Sequence, residues 1–448
     1  MFKINMPDGA RSIIERLKRN GYDAYIVGGC VRDSIRGVTP KDWDICTSAL
    51  PFQILNCFQD KRVVETGLQH GTVTVIMDDE QYEVTTFRVD GEYTDNRHPD
   101  SVCFVDRLEE DLSRRDFTMN AMAYNDESGL VDVFGGQSDI RAGIITCVGD
   151  PDTRFKEDGL RILRALRFAS AYNMMIDSAT EESIHRNVHL LKNISAERIN
   201  VELCKILTGS NALSILLNYS DVICTIIPEL TPCVGFEQQN RYHIYPVYDH
   251  IAHAVDNYCG SDVVVKIALL LHDIGKPYCF TTDENGGHFY GHGKLSNQIA
   301  ESILSRLRFD NRSKEDILEL ILCHDSSIAP THRSVRRWLN KIGELQLRRL
   351  IEVSLADALA HAPCMQQAQI NQCIQLVSIL NEVIDDEQCF RVKDLDINGY
   401  EIMKLGVPQG KQVGIILNKL LNSVIDGDIQ NDFQTLICEA QKIKEIIQ

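Results

Sequence analysis

Two aspartates separated by one residue, Asp42 and Asp44, are the first side chains in this sequence whose type and spacing can support catalysis. If their segment is a strand, residues i and i+2 project from the same face, so the two carboxylates lie side by side. Neighbouring carboxylates repel each other unless a cation neutralises them, and ligation by oxygen alone suits Mg²⁺ bridging the phosphates of a nucleotide. A lone pair of this kind is usually a solvated acidic turn, but Glu83 lies in a later β-branched segment with the parity to reach the same face. The pattern therefore favours a two-metal site for phosphoryl or nucleotidyl transfer, with Asp42, Asp44 and Glu83 as catalytic residues.

A glycine pair, Gly28 and Gly29, follows a short apolar strand and leads into a segment with helical spacing. The backbone N–H groups of such a turn, the positive end of the helix dipole and the Arg32 guanidinium can converge on a phosphate chain. A glycine turn before a helix is more often purely structural. Only the aspartates that follow this turn favour its interpretation as a phosphate-binding site.

A third group combines acidic and basic residues in the order Glu157, Asp158, Arg161. On a helix Asp158 and Arg161 are neighbours at i and i+3, and Glu157 can brace the guanidinium from i−4. A carboxylate only accepts hydrogen bonds and a guanidinium only donates them. Cytosine and adenine present an amine donor beside a ring-nitrogen acceptor, whereas uracil and guanine present a carbonyl beside an N–H. The pair therefore selects C and A if it faces a base, although a helix salt bridge is the commoner fate of such residues. The next arginines, Arg164 and Arg167, are expected to face RNA rather than the nucleotide.

Histidines concentrate between the proline-containing stretches 229–235 and 362–363. There His272 and Asp273 end an apolar helix just before Ile-Gly-Lys-Pro, and His250 lies on the preceding helix. Histidine nitrogens combined with carboxylate oxygens are typical ligands of divalent metals. An isolated His-Asp pair is more often a capped helix end, but the residues that follow this one favour a metal site.

Composition and charge limit the class of protein. At roughly 150 residues per domain, a chain of 448 residues indicates about three domains. Apolar residues at 44% and charged residues at 25% exclude a disordered or fibrous chain. A net charge of -18 argues against a general nucleic-acid coating protein or a polybasic membrane binder. The densest basic stretch, 333–349, is expected either to touch RNA phosphates or to form a solvated helix face.

Cysteine use and hydropathy indicate a cytoplasmic protein. The 15 cysteines are scattered without a C-x-x-C pair, and an odd total leaves a disulfide framework unpaired. The N-terminus lacks the apolar core of a signal peptide. The most apolar stretch, 263–271, is far shorter than the ~20 residues that cross a bilayer. We expect a soluble protein of the cytoplasm with no membrane partner.

The elements that must position these residues are of two kinds. A helix at 10–19 and β-branched or alternating strands at 24–27, 71–77 and 81–87 predict a small sheet with helices over residues 1–150. From residue 152 onward helical periods dominate. The predicted helices there are 154–171, 196–207, 247–258, 263–273, 295–307, 314–323, 345–359 and 371–384. We therefore predict an α+β fold, in which a small mixed or antiparallel sheet domain is followed by an all-α body.

The motifs, taken in order, resemble those of the bacterial class II tRNA nucleotidyltransferases, which are the CCA-adding enzymes and their poly(A) polymerase relatives. The matching segments are Gly28 to Asp33, Asp42-x-Asp44, Thr66-Gly67-x-x-His70-Gly71-Thr72, Glu83 to Arg88, Arg114-Arg115-Asp116-Phe117-Thr118-Met119-Asn120-Ala121 and Glu157 to Arg161. The resemblance is strong over residues 20–210. It is looser near the C-terminus, where the segment 405–411 (LGVPQGK) leads into an amphipathic helix.

The resemblance implies a role for each matching residue. Asp42 and Asp44 would hold Mg²⁺. The triphosphate would be bound by Gly28, Gly29 and Arg32, the ribose and phosphates of the incoming nucleotide by Arg114, Asp116 and Asn120, and its base by Asp158 and Arg161. Without the family, Arg114 and Asp116 would be interpreted as part of a surface ion pair worth about 0–1 kcal/mol.

The histidine-rich segment resembles the HD phosphohydrolase superfamily. The resemblance implies four metal ligands, His250, His272, Asp273 and Asp357, binding a divalent transition metal or Mg²⁺. His292 and His324 would support a second metal or bind phosphate. Both an active site and a purely structural one are compatible with this pattern.

These expectations combine into four parts: a nucleotidyltransferase head at 1–150, a helical neck with the base-selecting motif at 151–235, an HD domain at 236–362 and a tRNA-binding helical tail at 363–448. The implied reaction is the template-independent addition of CCA to the 3′ end of tRNA from CTP and ATP. One alternative is a poly(A) polymerase, although that branch usually carries a basic C-terminal extension. Another is a metal phosphohydrolase whose head only binds RNA. Complete CCA addition, A-only addition and CC-only addition all fit the sequence, and the choice among them is expected to depend on the loop 88–99.

Overall fold

The computed structural model describes residues 3–65, 67–68, 71–91, 101–284 and 286–447. They form two compact units, Met1–Pro228 and Glu229–Gln448. Two parts of the sequence predictions, the motif residues Thr66 and His70 and most of the loop 88–99, lie outside the described residues. Across the described ranges, none of the helices combines the length and the apolar character needed to cross a bilayer.

A seven-stranded mixed sheet forms the centre of the first unit. Its strands, in spatial order, are β3 (Arg62–Val64), β4 (Thr72–Met77), β5 (Glu80–Thr86), β2 (Ile45–Thr47), β1 (Ala24–Val27), β8 (Met122–Asn125) and β9 (Gly129–Asp132). Neighbours run antiparallel except β2 and β5, which run parallel with Ile45 opposite Val84. Two-stranded pairs are formed by β6 (Arg88–Asp90) with β7 (Val102–Phe104), by β10 (Ile144–Ile145) with β11 (Met175–Ile176), and by β12 (Thr281–Asp283) with β13 (Gly286–His288). The predicted α+β class with a mixed sheet is confirmed.

Helices pack around this sheet and continue the first unit. They are α1 (Asp8–Arg19), α2 (Gly29–Ile35), α3 (Pro51–Cys57), α4 (Leu108–Ser113), α5 (Gly136–Ala142), α6 (Pro151–Glu157), α7 (Leu160–Tyr172), α8 (Ser178–Asn187), α9 (Ala196–Leu207), α10 (Ala212–Asn218) and α11 (Ser220–Ile226). Amphipathic spacing explains α1, whose Ile13 and Leu17 are fully buried in the same core as Ile26 of β1 and Ile45 of β2. This core fixes the strand ends from which the candidate site residues project.

Two local predictions in the first unit are wrong. The segment predicted as one helix over 154–171 is broken, because Asp158 adopts an extended conformation (φ −142°, ψ 103°) between α6 and α7. Asp42 and Asp44 lie before β2 rather than on a strand, since β2 begins at Ile45. The backbone of Asp44 still approaches the sheet, because its carbonyl accepts a hydrogen bond of 3.0 Å from the N–H of Val27.

The second unit is almost entirely helical. Its helices are α12 (Val247–Asn257), α13 (Val263–Leu271), α14 (Lys276–Cys279), α15 (His292–Arg306), α16 (Asn311–Cys323), α17 (His332–Leu359), α18 (Pro363–Asp385), α19 (Gly399–Lys404), α20 (Lys411–Asp426) and α21 (Phe433–Ile447). The helix α13 is buried nearly all round, and its one charge, Lys266, is satisfied by the carbonyls of Val255 (2.7 Å) and Tyr258 (2.6 Å). This helix delivers His272 and Asp273 to the interior of the unit.

The basic stretch 333–349 lies on α17, which is interrupted at Gly343 (φ 79°, ψ 170°). Arg333 and Arg337 both pair with Asp426 of α20, at 3.0 Å and 2.7 Å. Arg349 pairs with two further acids, at 2.8 Å each. Intramolecular pairing thus neutralises much of this stretch, which weakens its interpretation as a phosphate-binding surface.

Candidate active site

The turn between β1 and α2 requires glycine. Gly28 has φ 76° and ψ −123°, a conformation that side chains with a Cβ rarely adopt. A Cβ at this position would lie 3.0 Å from Nη1 of Arg115. The N–H of Gly28 donates to the carbonyl of Met122 at 3.1 Å, which fixes the turn to β8. The absence of a side chain at Gly28 therefore lets the backbone lie close to the guanidinium of Arg115.

Arg32, on α2, is held by several partners. Its Nε and Nη2 donate to the Asp33 carboxylate at 2.9 Å and 3.0 Å, and its Nη1 donates to Oδ1 of Asn120 at 2.7 Å. Its guanidinium carbon lies 5.2 Å from the ring centres of both Phe168 and Tyr172 on α7. The predicted phosphate-binding arginine is thus buried and fixed in place before any nucleotide arrives.

Asp116 extends this network towards α7. Its Oδ1 accepts from Nδ2 of Asn120 at 3.0 Å, and its Oδ2 accepts from Nε of Arg164 at 2.8 Å. Burial alone would raise the pKa of Asp116, but the charge of Arg164 and the Asn120 hydrogen bond outweigh burial and hold that pKa below its ordinary value. Asp116 is therefore ionised at neutral pH.

The three predicted catalytic carboxylates interact across the start of β2. Extending the register of β2 and β5 by one position brings Glu83 beside Asp44. The pKa of Asp44 is raised to about 6, first because surrounding protein atoms displace water and then because Asp42 and Glu83 repel its charge, while Arg115 opposes this. Asp44 nevertheless remains accessible from a recess that Asp42 also lines, whereas Glu83 lies outside that lining. A divalent cation would relieve this repulsion, so the residues fit the Mg²⁺ that the sequence predicts.

The turn, the network and the two aspartates line one pocket of about 850 Å³, within the range of small-molecule and cofactor sites. Its lining includes Gly28, Gly29, Arg32, Asp42, Asp44, Arg115, Asp116, Asn120, Arg164, Arg167, Phe168, Tyr172 and Lys205. Contrary to the sequence expectation, Arg164 and Arg167 therefore lie with the candidate nucleotide-binding residues.

Arg114 lies in a smaller neighbouring pocket of about 270 Å³. Its Nη2 donates to Oδ1 of the buried Asp111 at 2.7 Å, and the second oxygen of Asp111 accepts from Arg115 at 3.2 Å. One buried carboxylate thus orients both arginines of the motif. The contact between Arg114 and a nucleotide stays a prediction.

Asp158 and Arg161 line this smaller pocket from two different elements. Asp158 lies in the extended break, and Arg161 lies in the first turn of α7. The predicted i, i+3 relation along one helix is therefore wrong, although both side chains reach one pocket. The predicted brace is confirmed, because Nη1 of Arg161 donates to Oε2 of Glu157 at 2.5 Å.

In the second unit the four predicted HD ligands converge. Nε2 of His250 lies 2.8 Å from Oδ1 of Asp357 and 3.4 Å from Oδ2 of Asp273, and Nε2 of His272 lies 3.4 Å and 3.2 Å from the same two oxygens. Burial alone would lower the pKa of His272, but Asp273 and Asp357 raise it to about 10, and a divalent cation that displaced this proton would supply the same positive charge between the carboxylates. Among the described residues, Nε2 of His272 and Oδ2 of Asp273 make no hydrogen bond of acceptable direction although both are buried. Such a donor set fits a divalent metal.

His292 and His324 lie on the other side of Asp273. Nε2 of His292 is 3.2 Å and Nε2 of His324 is 3.9 Å from Oδ1 of Asp273, and the two nitrogens lie 3.1 Å apart. The rings of both histidines are anchored by Nδ1, which donates to the carbonyls of Phe289 (2.8 Å) and Ile321 (2.7 Å). Asp273 thus presents one oxygen to each of two histidine pairs. The adjoining pocket has about 540 Å³ and is also lined by Lys276, His243 and His361.

Sequence reasoning missed several side chains at the pockets of the first unit. Arg115 stood within the quoted motif but received no role, and Asp111, which holds it, lies one turn earlier on α4. Arg198, which contacts Asp158, lies 40 positions further along the chain, so no local spacing points to it. Arg115 and Asp111 could have been identified because they lie in or just before the motif. Arg198 is distant in sequence and reaches the site only through the fold.

Comparison with known families gives three matches along the chain. A family model described as the poly A polymerase head domain matches residues 24–146. A model described as the probable RNA and SrmB-binding site of polymerase A matches residues 173–233. The HD domain model matches residues 241–362.

The similar proteins and solved structures described next are all CCA-adding enzymes. A CCA-adding enzyme of Ligilactobacillus salivarius is 32% identical over 445 residues, covering 98% of each chain. A CCA-adding enzyme of Bacillus mycoides is 51% identical over 201 residues, which are 45% of this chain and 50% of the relative. Among solved structures, the Bacillus stearothermophilus CCA-adding enzyme in complex with CTP superposes with a TM-score of 0.69 at 27% identity, covering 99% of both chains.

Proposed function

This chain belongs to the family of CCA-adding enzymes, and from that premise we propose that the pocket beside β1 and β2 adds CCA to the 3′ end of tRNA from CTP and ATP. The observation that carries the proposal is the composition of the pocket. It combines a glycine turn, the fixed Arg32, the aspartates Asp42 and Asp44, and the ionised Asp116. The reaction is attack of the tRNA 3′-hydroxyl on the α-phosphate of the nucleotide, with loss of pyrophosphate.

We propose Asp42 and Asp44 as the Mg²⁺ ligands, with Glu83 adding negative charge nearby. When bound, Mg²⁺ lowers the pKa of an attacking hydroxyl and neutralises charge on the triphosphate. The protein's own contribution is orientation. Arg32 is already fixed by Asp33 and Asn120, so its charge can meet phosphate oxygens without further ordering.

Asp116 and Asn120 are proposed to bind the ribose. Asp116 is held ionised by Arg164, so it can accept a hydrogen bond from a sugar hydroxyl. Asn120 already bridges Asp116 and Arg32, which couples the position of the sugar to that of the phosphates. Arg114 is proposed to contact the ribose and phosphates of the incoming nucleotide from the adjoining pocket.

Asp158 and Arg161 are proposed to select the base. A carboxylate that accepts and a guanidinium that donates are complementary to cytosine and adenine, and they leave unsatisfied groups opposite uracil and guanine. Their shared pocket adjoins the larger one, because Arg115, Asp116 and Arg164 line both. A nucleotide with its triphosphate in the larger pocket would therefore reach this pair with its base.

The four-part division of the chain, with a head, a neck, an HD domain and a tRNA-binding tail, also stays a proposal. The three family matches support its first three parts. We propose a cytoplasmic location because the cysteines of the described residues form no disulfide, which suits a reducing compartment.

The deciding experiment supplies labelled CTP and ATP to tRNA that lacks its 3′ CCA. We expect addition of C, C and A in that order and then arrest. A long run of A would indicate a poly(A) polymerase. Absence of incorporation, with phosphate-ester hydrolysis retained, would indicate a phosphohydrolase whose head only binds RNA.

A second activity is favoured by the histidine cluster. We propose that His250, His272, Asp273 and Asp357 hold a divalent ion and that the second unit hydrolyses a phosphate ester. The support is the convergence of these four side chains beside a pocket lined by Asp273, Asp357 and Lys276, whose Nζ lies 2.6 Å from Oδ2 of Asp273. The imidazole ligands favour Co²⁺ or Ni²⁺, and the carboxylate ligands suit Mn²⁺ or Mg²⁺. Hydrolysis of simple and cyclic phosphate esters with each ion tests this, and no hydrolysis with any of them would make the site structural.

A further inference from the structure

Arg198, on α9, makes a two-pronged contact with Asp158. Its Nη2 donates to Oδ2 at 2.7 Å and its Nη1 donates to Oδ1 at 3.2 Å. Both residues line the small pocket that also contains Arg161. Pairing of a guanidinium with both oxygens of a carboxylate fixes the plane of that carboxylate as well as its charge.

Asp158 needs such a partner because of where it lies. It occupies the extended break between α6 and α7, so its side chain does not project from a helix, although it is only 17% exposed. The only other hydrogen bond recorded for its carboxylate within the described residues is 3.1 Å long, from the N–H of Leu160 to Oδ1. Without Arg198, Oδ2 would be free to rotate about the side-chain bond.

The hydrogen bonds leave a definite set of unused positions on Asp158. A carboxylate offers about four acceptor positions. Arg198 and Leu160 occupy three of them, two on Oδ1 and one on Oδ2. The remaining position is on Oδ2 and is oriented by Arg198, and one acceptor is what the amine of cytosine or adenine needs.

The same count for Arg161 leaves two donors. Nη1 donates to Glu157 at 2.5 Å and to the carbonyl of Arg154 at 3.1 Å. One N–H of Nη2 donates to the carbonyl of Arg114 at 3.0 Å. A guanidinium has five N–H groups. Within the described residues, the Nε–H and one Nη2–H of Arg161 donate no hydrogen bond. Together with the free position on Asp158, they match the amine, ring nitrogen and carbonyl of cytosine.

We infer that Arg198 is a positioning residue for base selection, which acts by fixing the one acceptor of Asp158 that a base amine can use. The inference rests on the proposed roles of Asp158 and Arg161. It differs from a simple ion pair between α9 and the break, since such a pair would influence all four nucleotides equally.

The first test is Arg198→Ala, with kcat and KM measured for all four nucleoside triphosphates on tRNA ending at the discriminator base. We expect the ratio of kcat/KM for CTP over UTP to fall about tenfold, as loss of one oriented polar contact predicts, mainly through a higher KM for CTP and ATP. Arg198→Lys keeps the positive charge but lacks the planar guanidinium that binds both carboxylate oxygens. It should therefore restore only part of the CTP to UTP ratio of kcat/KM. Arg186→Ala is the matched control, because Arg186 pairs with Asp152 at 3.2 Å away from both pockets.

The second test is a cycle with Asp158→Ala and the double variant. If Arg198 acts through Asp158, the double variant should have the same CTP to UTP ratio as Asp158→Ala alone. Thermal unfolding of each variant reports folding separately, and Arg198→Lys covers the case in which Arg198→Ala does not fold.

The outcomes separate the two ideas. If Asp158→Ala leaves the ratio unchanged, the proposed base-selecting pair is wrong. If Asp158→Ala changes the ratio but Arg198→Ala lowers kcat/KM for CTP and UTP by the same factor, the pair stands and Arg198 is structural. Additive effects in the double variant would also overturn the inference.

Discussion

In the second unit, the ligand atoms of His250, His272 and Asp273 all lie within 4.8 Å of one another, and so do those of Asp273, His292 and His324. Asp42, Asp44 and Glu83 do not form such a group, although all three lie in described parts of the chain. The histidine site is buried, with His272 and Asp273 each 1% exposed. The carboxylate site opens into a pocket.

The difference follows from the ligand types. The histidine site alternates imidazoles with the carboxylates of Asp273 and Asp357, so neighbouring groups do not repel one another, and backbone carbonyls anchor the Nδ1 atoms of all four histidines, His250, His272, His292 and His324. Carboxylates repel until a cation arrives; burial first, and then the repulsion from Asp42 and Glu83, raises the pKa of Asp44. We infer that the carboxylate site is completed by a cation bound together with the triphosphate, whereas the histidine site is complete in the folded chain. An enzyme that exchanges its nucleotide after each addition gains from a site that assembles with the substrate.

The largest expected effect concerns the carboxylates. Asp44→Ala, alone or with Asp42→Ala, should lower nucleotide transfer by about two to three orders of magnitude, because a principal electrostatic interaction is lost. Incorporation of CTP into tRNA measures this, and circular dichroism checks the fold. Glu109→Ala, at a half-exposed acid on α4, is the control. More than about a tenth of the original turnover would contradict the metal assignment, because it exceeds what loss of such an interaction allows.

The second prediction separates the two sites. His272→Ala with Asp273→Ala should abolish phosphate-ester hydrolysis, since two of four ligands are removed. Transfer to tRNA should persist, because the carboxylate pocket is built from residues of the first unit alone. Both activities are measured on the same preparation. Loss of both together, in a variant that still melts cooperatively, would show that the sites are not independent.

His292→Ala with His324→Ala is expected to have a narrower effect, the loss of one metal ion per chain. The two nitrogens face Oδ1 of Asp273, the oxygen turned away from His250 and His272. Elemental analysis of metal-loaded, desalted protein measures the change. An unchanged metal content would favour phosphate binding by these histidines instead.

Base selection provides a smaller change. Asp158→Ala with Arg161→Ala should shrink the preference for CTP over UTP by one to two orders of magnitude, at ~1–3 kcal/mol per two-pronged contact. Asp158→Ala alone should do less, because Arg161 can still donate to a uracil carbonyl. Relative kcat/KM for the four triphosphates measures the preference. If CTP and UTP incorporation fall by the same factor, the pair is a structural element of the neck.

The sequence predicted the elements that local periodicity controls. The strand at 24–27 and the helix at 196–207 have the predicted bounds, and the four side chains proposed as HD ligands lie close together. Helical period alone did not predict the break at Asp158, because Glu-Asp-Gly within a helical pattern only weakly disfavours helix. The break matters, since it turns Asp158 towards Arg198 instead of along α7.

Long-range partners determine the surroundings of the other basic residues, which the sequence alone did not settle. The helical spacing of Arg164 and Arg167 suggested that they face RNA, but their ion pairs with Asp116 and Glu202 place them in the pocket wall. The basic stretch 333–349 was judged by its composition, whereas its charge depends on Asp426, Asp262 and Asp316 from other helices. Pairing between distant segments is set by the fold and leaves no local pattern.

The smallest expected effect tests the comparison directly, through the two tryptophans of the chain, Trp43 in the first unit and Trp338 in the second. Trp43→Phe leaves a fluorescence reporter in the second unit, and Trp338→Phe leaves one in the first. A metal that binds only the folded site at one hundred times its Kd stabilises that site by about 2.7 kcal/mol, or roughly 5–10 °C for a unit of this size. Adding Mn²⁺ or Ni²⁺ to chelator-treated protein should therefore raise the melting temperature reported by Trp338 and leave that reported by Trp43 nearly unchanged.

The control for this experiment is the same titration in the His272→Ala, Asp273→Ala background, where the shift at Trp338 should vanish. Addition of CTP with the metal should then raise the transition reported by Trp43, because the triphosphate supplies the remaining oxygen ligands. A metal shift at Trp43 without nucleotide would mean that the carboxylate site is preformed too. In that case the repulsion around Asp44 would be balanced within the protein, and the contrast between the two sites would not hold.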